Sequence, residues 1–75
     1  MERYADKSGS SGVLAYETGA DYIKVRFKAN TAVYKYTYRL PGRRHVEKMK
    51  ALAKSGKGLS TYISQFIRTG YESVL

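Results

Sequence analysis

The amino-acid sequence predicts an α+β domain: a three-stranded antiparallel meander covered on one face by a helix, plus a short C-terminal helix. Three observations predict it. The stretch from Tyr22 to Tyr38 alternates apolar and basic residues, pauses at Ala29-Asn30, and alternates again. A shorter apolar run, Val13-Leu14-Ala15-Tyr16, lies upstream of the turn cluster Thr18-Gly19-Ala20-Asp21. Beyond Leu40-Pro41-Gly42 the period changes from that of a strand to that of a helix. Period-two alternation marks strands with one buried and one wet face.

In chain order, Met1 to Gly12 is polar, ends in Lys-Ser-Gly-Ser-Ser-Gly and shows no period, so it is expected to be disordered. Val13 to Tyr16 forms the first strand. A four-residue loop after it would set Tyr16 opposite Ile23 and Leu14 opposite Val25. The hairpin register follows from its side chains. A two-residue turn at Ala29-Asn30 makes Lys28 face Thr31, Phe27 face Ala32, Val25 face Tyr34 and Ile23 face Tyr36. Apolar residues then meet on one side. Lys24, Arg26, Lys28 and Lys35 fall on the other, with Tyr22, Val33 and Thr37. A slip of one residue would exchange every side chain across the sheet, so the pattern selects this register. It also sets Lys24 opposite Lys35, a repulsive pair.

Pro41 disfavours helix in the residue before it and closes the sheet. A helix then runs from about Arg43 to Ser55. Val46, Met49, Leu52 and Ala53 make its apolar stripe, and Gly56 is placed to stop it. A second helix over Thr61 to Arg68 directs Ile63, Phe66 and Ile67 at the core. The result is a single domain over residues 13–69, with 70–75 as a poorly specified tail.

Composition narrows the function. Seventy-five residues hold one small core, near the lower size limit for independent folding. Cysteine is absent and histidine occurs once, which excludes disulfides, thiolate metal sites and most zinc arrangements. No apolar run approaches a membrane span of about 20 residues, and the first residues do not resemble a signal peptide, so a soluble, cytoplasmic chain is expected. The formal net charge is +8, and between Tyr22 and Lys57 eleven Lys or Arg residues accompany one acid, Glu47. Such clustering points to an anionic partner, nucleic acid first and an acidic protein or membrane surface second.

Catalytic constellations are wanting. Glu17 and Asp21 flank one turn and read as turn chemistry, while Glu47 stands alone on a helix. His45 has no second ligand type near it, which leaves a phosphate contact or an ordinary surface position. Ser55-Gly56-Lys57-Gly58 resembles a phosphate loop but lacks the Ser or Thr after Gly-Lys, and Ala51 stands where the first glycine belongs. It reads as a helix stop and a tight turn. Of the eight tyrosines, Tyr34 and Tyr36 fall under the helix, whereas Tyr22 lies among lysines and is the candidate for stacking on a base.

Leu14-Ala15-Tyr16-Glu17, Ile23-Lys24-Val25-Arg26-Phe27, Val33-Tyr34-Lys35-Tyr36, Leu40-Pro41 and a helix ending at Ser55-Gly56 with Ile63 beyond it occur in that order. In order and spacing they resemble the KTSC domain, a short domain named for the C-terminus of some lysyl-tRNA synthetases and also found alone in bacteria and phage. The resemblance spans Leu14 to Ile67, with Tyr34-Lys35-Tyr36 its most recognisable part. It implies a non-enzymatic domain suggested to bind RNA.

The expected function is therefore a small nucleic-acid-binding module without cofactor, RNA favoured. Lys24, Arg26, Lys28 and Lys35 would contact phosphates from the open sheet face, Tyr22 would stack, and Arg39, Arg43, Arg44 and Lys48 would extend the track along the rim. The alternative is an adaptor or inhibitor, bacterial or phage, docking an acidic protein. The outer strands also present edges through which a monomer could become a homodimer.

Overall fold

The computed structural model describes residues 1–29 and 32–75. The chain is α+β, with five antiparallel strands in spatial order β1-β2-β3-β4-β5: Glu2–Arg3, Val13–Thr18, Tyr22–Phe27, Val33–Thr37 and Ser73–Val74. Helix α1 spans Arg43–Ser55 and α2 spans Leu59–Tyr62, continuing directly into a π-helical turn, Ile63–Ile67. The inner three strands are the predicted meander, and the two outer ones enlarge it.

The β3–β4 register is the one the alternation selects: Ile23 pairs with Tyr36, Lys24 with Lys35 and Val25 with Tyr34. The expected turn at Ala29-Asn30 and the pairing of Lys28 with Thr31 lie partly outside the described residues. Between β2 and β3 the expected register is corrected. Tyr16 faces Val25, Glu17 faces Lys24 and Thr18 faces Ile23, two positions from the expectation. The loop is three residues long, Gly19 to Asp21, and the Gly19 N–H donates to the carbonyl of Tyr22 at 3.0 Å. A Cβ on Gly19 would overlap the Tyr22 ring, so glycine there lets the ring fold back over the turn. Because the shift is by two, Tyr16 keeps its core face. Leu14 does not reach Val25: the pairing is irregular between Val13 and Ala15, and Val13 takes the buried place.

Helix α1 lies on the tyrosine face. Val46, Met49 and Ala53 are buried in one cluster with Tyr16, Ile23, Val25 and Tyr36, and Leu52 packs against it. Gly56 ends the helix in the left-handed region at φ 80°. Glycine is required there twice over, since a Cβ would lie 2.7 Å from that of Ala5. The second helix begins at Leu59 rather than Thr61, and its apolar face is Leu59, Ile63 and Ile67, not Ile63, Phe66 and Ile67. The cause is the π-turn, in which the N–H of Arg68 donates to the carbonyl of Ile63, five residues back. The wider turn lines up positions four apart and carries Phe66 outward, to 62% exposure.

Residues 1–12 carry structure where none was expected. Tyr4 is 2% exposed, and its hydroxyl accepts a hydrogen bond from the N–H of Leu59 at 3.3 Å. Asp6 takes Lys28 Nζ at 2.8 Å and the N–H of Ser11 at 3.0 Å. The tail also folds, placing Tyr71 edge-on against Tyr34 and Tyr36 with centroids at 4.9 and 6.4 Å. The terminal strands occupy the edges proposed for a homodimer. Glu2 and Arg3 pair with Tyr16 and Ala15, and Ser73 and Val74 pair with Lys35 and Tyr34. Two-residue strands make short, blunt edges.

Candidate nucleic-acid interface

Opposed residues of antiparallel strands share a face, so the pairings define the open side of the sheet in rows. One row reads Arg3, Ala15, Arg26, Val33, and the next Glu17, Lys24, Lys35, Ser73. Tyr22 opposite Thr37 forms a third. The structure thus brings Lys24, Arg26 and Lys35 together and adds Arg3. Arg3 was invisible in sequence because its segment has no period; only its pairing with Ala15 places it.

The repulsion between Lys24 and Lys35 is absorbed locally. Both ammonium groups sit over the Tyr22 ring, at 5.6 and 5.0 Å from its centroid, a geometry the ring quadrupole favours. Glu17 approaches Lys24 at 3.8 Å and accepts the Tyr22 hydroxyl at 3.0 Å. That hydrogen bond holds the Tyr22 phenol above its ordinary pKa. Glu17 therefore belongs to the cationic face, which corrects its reading as turn chemistry. Arg26 differs from the lysines: its Nε is buried and has no hydrogen-bond partner among the described residues.

The remaining predicted contacts divide. Lys28 is committed to Asp6, which that bond and the Ser11 N–H hold below the usual carboxylate range. Arg39 is exposed in the turn after β4, where its N–H donates to Thr37 Oγ1 at 3.1 Å. Arg43, Arg44 and Lys48 are exposed on α1, and α1 covers the opposite face of the sheet. Their backbone therefore belongs to the helical layer and not to the open sheet face. Arg43 lies 5.7 Å from the Tyr38 ring. The Tyr38 hydroxyl donates to Glu47 at 2.6 Å, and Lys50 bridges Glu47 at 2.9 Å. These two contacts hold the Glu47 carboxyl low, and the first holds the Tyr38 phenol high.

Tyr22 is half-buried, its ring already engaged by two cations and its hydroxyl by Glu17. The exposed aromatic that sequence reasoning missed is Phe66, counted as core because a regular α-helix would have buried it. Among the described residues no group of three or more His, Cys, Asp or Glu is arranged to hold a metal ion, and no helix is long and apolar enough to cross a membrane. No protein-family model, curated protein or solved structure matches the chain.

Proposed function

We propose that the chain is a small, non-enzymatic nucleic-acid-binding module, with RNA favoured over DNA. The observation that carries the reading is the alignment of Lys24, Lys35 and Arg26 on the open sheet face, with Arg3 beside them. Cations gathered on one open sheet face suit a phosphodiester backbone, which they would contact through its charge. The resemblance to the KTSC domain, in its motif residues, agrees with the reading. RNA is favoured on that resemblance, since the cationic face would accept either nucleic acid.

Backbone contacts without base readout predict electrostatic, sequence-tolerant binding. The test is affinity for single- and double-stranded RNA across a salt series. A steep negative slope of log affinity against log salt is expected. No binding at low salt, or a slope near zero, would remove the proposal. A pulled-down protein lost on Lys24→Glu/Lys35→Glu, without co-purifying nucleic acid, would favour an acidic protein partner instead.

A further inference from the structure

We infer that the outward side of the helical layer carries a base-stacking site, formed by Phe66 and Tyr62 beside the cations of α1, for unpaired bases of a single-stranded nucleic acid. The inference rests on the nucleic-acid reading above and assigns to it a second surface. Phe66 exposes 62% of its area, the most of any aromatic side chain among the described residues that stand out as exposed large hydrophobics. Its ring centroid lies 5.0 Å from that of Tyr62, at an interplanar angle of 39°. Tyr62 is held in turn, its hydroxyl 2.7 Å from His45 Nδ1. The pair is thus an exposed ring braced by a fixed one, joined to α1 through His45.

Charge selects the occupant. His45 adjoins Arg44, and Lys48 lies one turn beyond Arg44 on the same ridge of α1, both exposed. From Arg43 to Gly70 the only acid is Glu47, and it is engaged by Tyr38 and Lys50. An exposed ring tied through Tyr62 and His45 to a helix that exposes Arg44 and Lys48 suits a ligand with π-faces and a negative backbone. Every base presents a π-face, so the site should tolerate any sequence yet require unpaired bases. A duplex hides its base faces and would gain only the cations.

The experiment uses the full chain and its F66A and F66W variants. Anisotropy is measured with a labelled oligo(U) of about twelve nucleotides and with an RNA duplex of the same length. F66A is expected to weaken oligo(U) binding about tenfold and to leave duplex binding unchanged. The chain has no tryptophan, so F66W creates a sole reporter whose emission oligo(U) should quench. Wild-type binding that F66A leaves unaltered, equal losses for both probes, or an unquenched F66W would overturn the inference while sparing the sheet-face reading. Failure of the wild type to bind either probe would overturn both. Loss of self-association in F66A, seen by light scattering, would overturn it in favour of a contact between copies of the chain.

Discussion

The two faces of the sheet use the same residue type for opposite ends. On the core face Tyr36 is 1% exposed, pairs with Ile23 and meets Tyr71 edge-on. There the ring is apolar volume. One residue away along the sheet, on the open face, Tyr22 lies beneath two lysine ammonium groups and bonds Glu17. There the ring is a cation ligand. Strand parity alone separates the two roles, because successive side chains leave a strand on opposite sides. Tyrosine suits both, having an apolar body and a polar tip. A repulsive lysine pair survives beside the core because its charge is dispersed over a ring and a carboxylate.

Changes that act on one face should leave the other alone. The largest expected effect is Tyr36→Ala, which empties core volume and should cost about 3–5 kcal/mol in denaturant unfolding, as large aromatic truncations do. A loss below about 1 kcal/mol would mean that the tyrosine face is not the core. Next is Lys24→Glu with Lys35→Glu. It should lower RNA affinity roughly tenfold to a hundredfold and flatten the salt slope by about two phosphates' worth. An unchanged slope would place binding elsewhere. Lys35→Glu alone sharpens the contrast. It turns the like-charged pair into an attractive one and should stabilise the fold by about 0.2–1 kcal/mol while weakening RNA binding. Stability and affinity moving together would show that the pair is not kept for its charge.

The smallest effects are read from pH. Burial raises the pKa of Tyr36 far above its ordinary value, with nearby Tyr34 and Tyr71 adding to it. A raised folded pKa means stability that is fully present below the ordinary tyrosine value and lost as pH climbs past about 10. Tyr36→Phe should blunt that alkaline loss more than Tyr22→Phe does. Asp6, held low chiefly by its bond from Lys28, has the opposite sign. Its contribution is present above the ordinary carboxylate value and fades as pH falls below about 4. Amide exchange should therefore loosen the first residues before the hairpin on acidification, and Lys28→Ala should erase that order of events.

Much of the core and half of the candidate site were legible beforehand, for a local reason. The pairing of Lys24 with Lys35, the burial of Tyr36 and the span Arg43–Ser55 follow from spacing along short segments, where a slip would bury charge. Elements without a period stayed hidden. Glu2–Arg3 and Ser73–Val74 are too short to alternate, yet they complete the sheet, and one of them adds Arg3 to the cationic face. Lys28 looked free until the segment around Asp6 folded against it.

By itself, then, the sequence determined which face of the β3–β4 hairpin is greasy, where the long helix begins and stops, and that the charge is concentrated on the middle of the chain. Only the tertiary structure decided which cations are paired, that α1 packs on the tyrosine face, and that Phe66 faces outward. The physical reason is range. Side-chain periodicity is written into neighbours a few positions apart, whereas ion pairing, edge pairing and a widened helical turn depend on groups that meet only after the chain has packed.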